Sequence, residues 1–245
     1  MIATTPKEFD DRDEPGSSCC AGRKGALKGF SLLELMIVIA IGFTMAAVSV
    51  MALMPMFTQN HVDQAYDTTL SVLRTYRNLA VTQGNRYIIT FWTTDPPCLV
   101  ANQSCIQVQI WGFNSATNTN MAPTTVFTYE MPQDIQFATQ AGYPVSTPDG
   151  FSNATTAIWT AHACNVTEGG DPCLVFAPDG SAQDDTGGVS GGSYIPGNYN
   201  NALIYLTRPA SNMYSSRALD VWGATGRVRG WRLYNEGGTN YWVQQ

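Results

Sequence analysis

The sequence predicts an α+β protein: one long helix, then an antiparallel β-rich domain. Three observations carry that expectation. Leu35 to Phe57 is an uncharged apolar run, Gln59 to Gln83 repeats apolar residues every three or four positions, and from Tyr87 onward the period is two. Helix followed by strands, without alternation between them, is the α+β order. The 245 residues suffice for a buried core. A net charge of −6 excludes global attraction to nucleic acid or anionic lipid, so polyanion binding requires a local basic patch. The only two histidines, His61 and His162, leave little material for acid–base chemistry near neutral pH.

Charge divides the chain at residue 29. Residues 1–29 hold Lys7, Arg12, Arg23, Lys24 and Lys28 against five acids, whereas the remainder has 8 arginines, no lysine and 14 acids. The run from Leu35 to Phe57 makes roughly 35 Å of helix, enough to cross a bilayer core. It begins too late and runs too long for a secretory signal. Basic residues precede it and none follows until Arg74, which places residues 1–29 in the cytoplasm and the remainder outside. Pro55 is expected to kink the run near its end.

Val62, Ala65, Tyr66, Leu70, Leu73, Tyr76, Leu79 and Ala80 then form one apolar face, and Gln83-Gly84-Asn85 reads as a helix stop. Strands are predicted over 87–92, 105–111, 125–129, 202–207, 218–222 and 227–234. Loops rich in Gly, Asn, Ser and Thr separate them, and 187–201 reads as the longest.

Glu34 stands between Phe30-Ser31-Leu32-Leu33 and the apolar run. A carboxylate there costs up to about 2.5–3.5 kcal/mol, so it calls for a partner or a function. Gly29-Phe30-Ser31-Leu32-Leu33-Glu34 with the following run resembles the class III signal of type IV prepilins and pseudopilins. The resemblance implies cleavage after Gly29 by a prepilin peptidase, N-methylation of Phe30, and Glu34 at the glutamate position of that family. A neighbouring subunit's Glu34 would then neutralise the Phe30 amine, a charge pair suited to fixing register. The leader of 29 residues, with its Cys19-Cys20, is longer than those common in the family. The organisation implied is a leader at 1–29, a helix at 30–84 (30–57 membrane and assembly, 58–84 amphipathic) and an extracytoplasmic domain at 85–245.

Ala65–Phe91, Val175–Ala182 and the closing Gly226-Arg227-Val228-Arg229 resemble the GspH/FimT subgroup of pseudopilins. The last of these also matches the GRxR pattern with which FimT-like minor pilins bind DNA. Four of the eight arginines after the leader lie between 217 and 232, and a strand there places Arg227, Arg229 and Trp231 on one face. Arg227, Arg229 and Arg232 are therefore the candidate DNA contacts, against the alternative of pairing with Asp220 or Glu236.

Cys98, Cys105, Cys164 and Cys173 are an even set in an oxidising compartment, open to three pairings. The local one, Cys98 with Cys105 and Cys164 with Cys173, closes two short loops worth roughly 2–3 kcal/mol each. A metal site from His162, Cys164 and Cys173 lacks a matched ligand pair, and no metal or cofactor is expected. Catalytic motifs are absent, and Asp149, Asp184 and Asp185 read as solvated loop acids. The expectation is a non-enzymatic minor pilin or pseudopilin of a type II secretion pseudopilus or type IV pilus, held in the bacterial inner membrane. The partners implied are prepilin peptidase and other subunits. A DNA-uptake subunit is the alternative, and a membrane-anchored periplasmic hydrolase a distant one.

Overall fold

A computed structural model describes residues 31–93, 98–100, 103–114, 119–151, 156–164, 172–190, 193–209 and 212–245. Gly29, Phe30 and the leader lie outside them. Helix α1 (Leu32–Gln83) opens the described chain, and its assignment is helical on both sides of Pro55. It ends where the sequence places its stop: Gly84 adopts φ 66°, and its N–H donates to Ala80 O at 3.0 Å. Two compact units divide between Met51 and Ala52, so the amphipathic half of α1 belongs with the β-rich unit.

In the first unit, Leu32–Met51 is long and apolar enough to cross a membrane, and none of it is buried. Leu32, Leu33, Met36, Val38 and Phe43 are all more than half exposed. A helix apolar on all sides and covered by none of the described residues needs lipid or other helices around it.

In the second unit, α1 is followed by β1 (Arg86–Trp92) and β2 (Cys105–Trp111). A small hairpin of β3 (Phe113–Asn114) and β4 (Thr119–Asn120) leads to β5 (Thr124–Glu130) and β6 (Gln136–Phe137). A 3-10 turn at Pro148–Gly150 precedes β7 (Ile158–Thr160), β8 (Cys173–Phe176) and β9 (Ala182–Gln183). The segment read as the longest loop contains a second hairpin, β10 (Gly188–Ser190) with β11 (Ser193–Ile195). The chain closes with β12 (Ala202–Thr207), β13 (Arg217–Trp222), β14 (Arg227–Glu236) and β15 (Thr239–Gln244).

Two antiparallel sheets result. One has the order β5-β2-β1-β8-β9; the other has β15-β14-β13-β12-β6, with β7 also pairing β12. The amphipathic face of α1 packs against both. Val62, Ala65, Tyr66, Val72, Leu73, Tyr76 and Ala80 share one core with Ile89, Phe91, Ile106, Leu174, Phe176, Ile204, Leu219 and Val228. Their three- and four-residue spacing is what puts them on one helix face. Strand alternation sends the intervening residues outward, where a smaller core of Ile88, Cys173 and Val175 backs the first sheet. On the second sheet, Phe151, Leu203, Tyr205 and Ala218 form an outer core under Tyr143, Trp159, Trp231 and Trp242.

Helix and sheet approach closely at Gly230 on β14. A methyl group there would overlap the Tyr66 ring and its hydroxyl, so only glycine fits.

Disulfides join Cys98 to Cys105 and Cys164 to Cys173, with Cα separations of 5.6 and 5.8 Å. This is the local pairing of the three that the sequence leaves open.

Candidate functional site

Glu34 lies in the first turn of α1, exposed, at the head of the bare apolar segment Leu32–Met51. Its position near a helix N-terminus suits a carboxylate electrostatically. An exposed acid beside an unpartnered apolar surface can also receive a cation when another helix covers that surface.

The arginines of the second unit fall into three environments. Arg229, facing away from α1, is held by Asp149: its Nη1 donates to both carboxylate oxygens at 2.8 Å, and its guanidinium lies 5.6 Å from the Trp222 ring centre. Arg232 stands opposite Arg217 in the β13–β14 register and lies 5.5 Å from the Tyr234 ring centre. Arg217 itself is buried; it donates to Asp63 at 2.5 Å, and burial lowers its pKa. Arg227 is exposed at the start of β14.

Arg227 opens onto a groove of about 570 Å³ lined by Arg74, Arg77, Asn78, Thr225, Gly226, Arg227 and Val228. The last turns of α1 and the β13–β14 turn build it. Arg77 clamps two turns together: its Nε donates to Gly180 O and Thr225 O, both at 3.1 Å, and its Nη2 to Thr225 O at 2.8 Å. Gly226 is required twice over. Its φ is 58°, and a Cβ would strike Gly180 O and come within 2.8 Å of Arg77 Nε. No ion pair joins Arg74 or Arg227 to a described carboxylate. The groove therefore offers two unneutralised guanidinium groups with a third behind them, geometry suited to phosphate or carboxylate.

The candidate strand arginines are thus not one patch. Arg227 faces the groove, Arg229 is charge-paired, and Arg232 sits by Arg217. The partner of Arg229 is Asp149, 80 residues away, rather than Asp220 or Glu236. Arg74 and Arg77 were readable as off-stripe residues one helical turn apart, but only the tertiary fold sets them beside Gly226-Arg227.

Asp149 and Asp184, read from sequence as solvated, are both engaged. Asp184 accepts from Thr186 N and Oγ1 and from Asn198 N and Nδ2, at 2.5 to 3.1 Å. Burial would raise its pKa, but these donors together hold it below the usual carboxylate value. Its role is to fix the 184–198 loop. Asp185 is buried as well.

Cys98, Cys105 and Glu130 bring ligand-type atoms within 4.8 Å of one another, with Glu130 Oε1 accepting from Leu99 N at 2.7 Å. With both sulfurs in a disulfide there is no thiolate pair to ligate a metal. The backbone N–H of His162 donates to Asn200 Oδ1 at 2.8 Å, which ties the segment before Cys164 to the connection that leads into β12.

No protein-family model, curated protein or solved structure matches this chain.

Proposed function

We propose that the chain is a minor pilin or pseudopilin: a non-enzymatic subunit cut after Gly29 by prepilin peptidase, methylated at Phe30, and assembled through α1. The observation that carries the reading is Glu34 in the first turn of a 20-residue apolar helical stretch, Leu32–Met51, that is left bare among the described residues. The architecture of such a helix followed by an antiparallel domain with two disulfides supports it. The inner membrane stores the helix before assembly, and neighbouring subunits then take the place of lipid. The domain with its disulfides belongs on the oxidising side. Membership of a type II secretion pseudopilus or of a type IV pilus is compatible with this chemistry. The reading is tested by the N-terminal mass of the membrane-extracted chain.

A second reading, a subunit that receives DNA, is favoured by the groove of Arg74, Arg77 and Arg227. Binding there is weak, indifferent to sequence and steeply salt-dependent. Arg74→Gln with Arg227→Gln removes two phosphate contacts and reduces the salt slope by about two, whereas Arg229→Gln, already neutralised by Asp149, leaves the slope unchanged. A fluorescence titration of the detergent-solubilised chain against duplex DNA at low salt decides it. Equal binding by the double variant would remove the groove from any such role.

A further inference from the structure

Asp220 is a buried acid that the proposed function does not use. It sits in β13 with 0% exposure, opposite Leu203 on one side and Arg229 on the other. Neither carboxyl oxygen has a hydrogen bond of normal geometry among the described residues. A bare carboxylate in such a place is costly, and a protonated carboxyl far less so.

The groups that act on Asp220 are few. The 3-10 turn contributes Asp149; β14 contributes the Trp231 indole and Arg229. From β12 come Leu203 and, two residues on, Tyr205, whose hydroxyl burial keeps neutral. Two carboxyl groups therefore face one guanidinium, and Asp149 occupies that guanidinium with both oxygens. Burial foremost, then Asp149, pushes the Asp220 carboxyl up to about 7, against the Trp231 indole and Arg229. Burial would raise Asp149 too, but Asp220, Trp222 and Arg229 together hold it below its ordinary value. Of the two, Asp220 is therefore the one that keeps its proton to higher pH.

Asp149 also lies within a strap, residues 143–151, over the outer face of the second sheet. The Tyr143 ring lies 5.3 Å from those of Tyr205 and Trp242. Phe151 lies 5.0 Å from Trp222 and 6.1 Å from Trp159. Between these ends Asp149 holds a left-handed φ of 52°, a strained conformation for a non-glycine residue, and its carboxylate also accepts from Trp222 Nε1 at 2.9 Å. Among the described residues the Trp242 indole nitrogen and the Tyr205 hydroxyl are buried without a hydrogen-bond partner, so this outer face gains hydrogen bonds when it is wetted.

We propose that residues 143–151 form a proton-controlled strap: a proton on Asp220 lets Asp149 lie over it with the strap closed, and loss of that proton to solvent frees the strap and uncovers the tryptophan-rich face of the sheet. The sign follows from the direction of the shift. The closed state binds the proton more tightly than the open one, where Asp220 returns toward its ordinary 3.8. The closed-to-open ratio then falls about tenfold per pH unit between about 4 and about 7, roughly a thousandfold in all, and levels off above.

Hydrogen exchange of the full chain in detergent, corrected for the intrinsic pH dependence of exchange, reads this directly. Protection of amides in 143–151 should fall across pH 4.5 to 7 and then flatten, while amides of β1 and β8 hold steady. Asp220→Asn should abolish the slope. Asp149→Asn, which removes the neighbouring carboxylate, should end the fall at lower pH. A flat wild-type profile, an unaltered slope in Asp220→Asn, or a parallel loss of protection in β1 and β8 would each overturn the strap.

Discussion

Gly230→Ala is expected to cost roughly 3 kcal/mol or more, beyond most single overpacking changes, because the added methyl has nowhere to go. Gly230 lies inside β14, opposite Leu219 of β13, and its carbonyl accepts from Gln245 N just past β15. On its inward face the Tyr66 ring of α1 rests against the bare Cα, and the overlap involves the ring as well as the hydroxyl. Tyr66 cannot swing aside freely, since it is buried in the core that α1 shares with both sheets. The helix must lift or the strand must bend. Denaturant unfolding of the detergent-solubilised chain measures the loss as a lower midpoint. Tyr66→Ala alone leaves a cavity and costs about 3–5 kcal/mol. In combination the methyl fills part of that cavity, so the double variant should be more stable than the sum of the two losses predicts. An unchanged midpoint for Gly230→Ala would mean that α1 does not bear on β14 as described.

Glu34→Leu should leave membrane insertion intact and nearly abolish entry into filaments. Leucine keeps the apolar face of the first turn filled, so the change removes charge without opening a void. If the Phe30 amine enters a helix bundle, its unpaired burial costs about 3–5 kcal/mol, which corresponds to a hundredfold or greater loss of assembly. Glu34→Gln should fail nearly as badly, because it offers a hydrogen bond but no charge. Leu35→Ala, one residue on, should assemble close to normally. The ratio of the chain in sheared filaments to that in the membrane fraction measures all three. A wild-type ratio for Glu34→Leu would leave Glu34 as a headgroup-level acid with no part in assembly.

What the sequence disclosed follows from how local each signal is. The helix is legible because its apolar residues recur at its own period over many turns, and Gly84 marks its end by a backbone conformation that glycine favours. The strands read at 87–92, 105–111, 202–207 and 227–234 are legible because β-branched, aromatic and other apolar residues recur over six or more positions. The hairpin at 188–195 was not, since its three-residue strands lie in a Gly- and Ser-rich stretch that reads as loop. The arginine groove and the strap were illegible for a different reason. Arg77 meets Thr225 across 148 positions, and Asp149 meets Arg229 across 80. Only the packing of α1 against the sheets and the path of the chain over the second sheet bring these residues together, and nothing in the local sequence encodes either. The GRxR spacing was visible, but not that one of its arginines is already paired.

Processing at Gly29-Phe30 is the premise on which the Glu34 pairing and the assembly reading both stand. Intact mass and N-terminal fragment spectra of the membrane-extracted chain, taken from cells with an active prepilin peptidase, test it most directly. The account predicts a chain that begins at Phe30 and carries one methyl group on its amine. A chain that still begins at Met1 and retains residues 1–29 in full would contradict it.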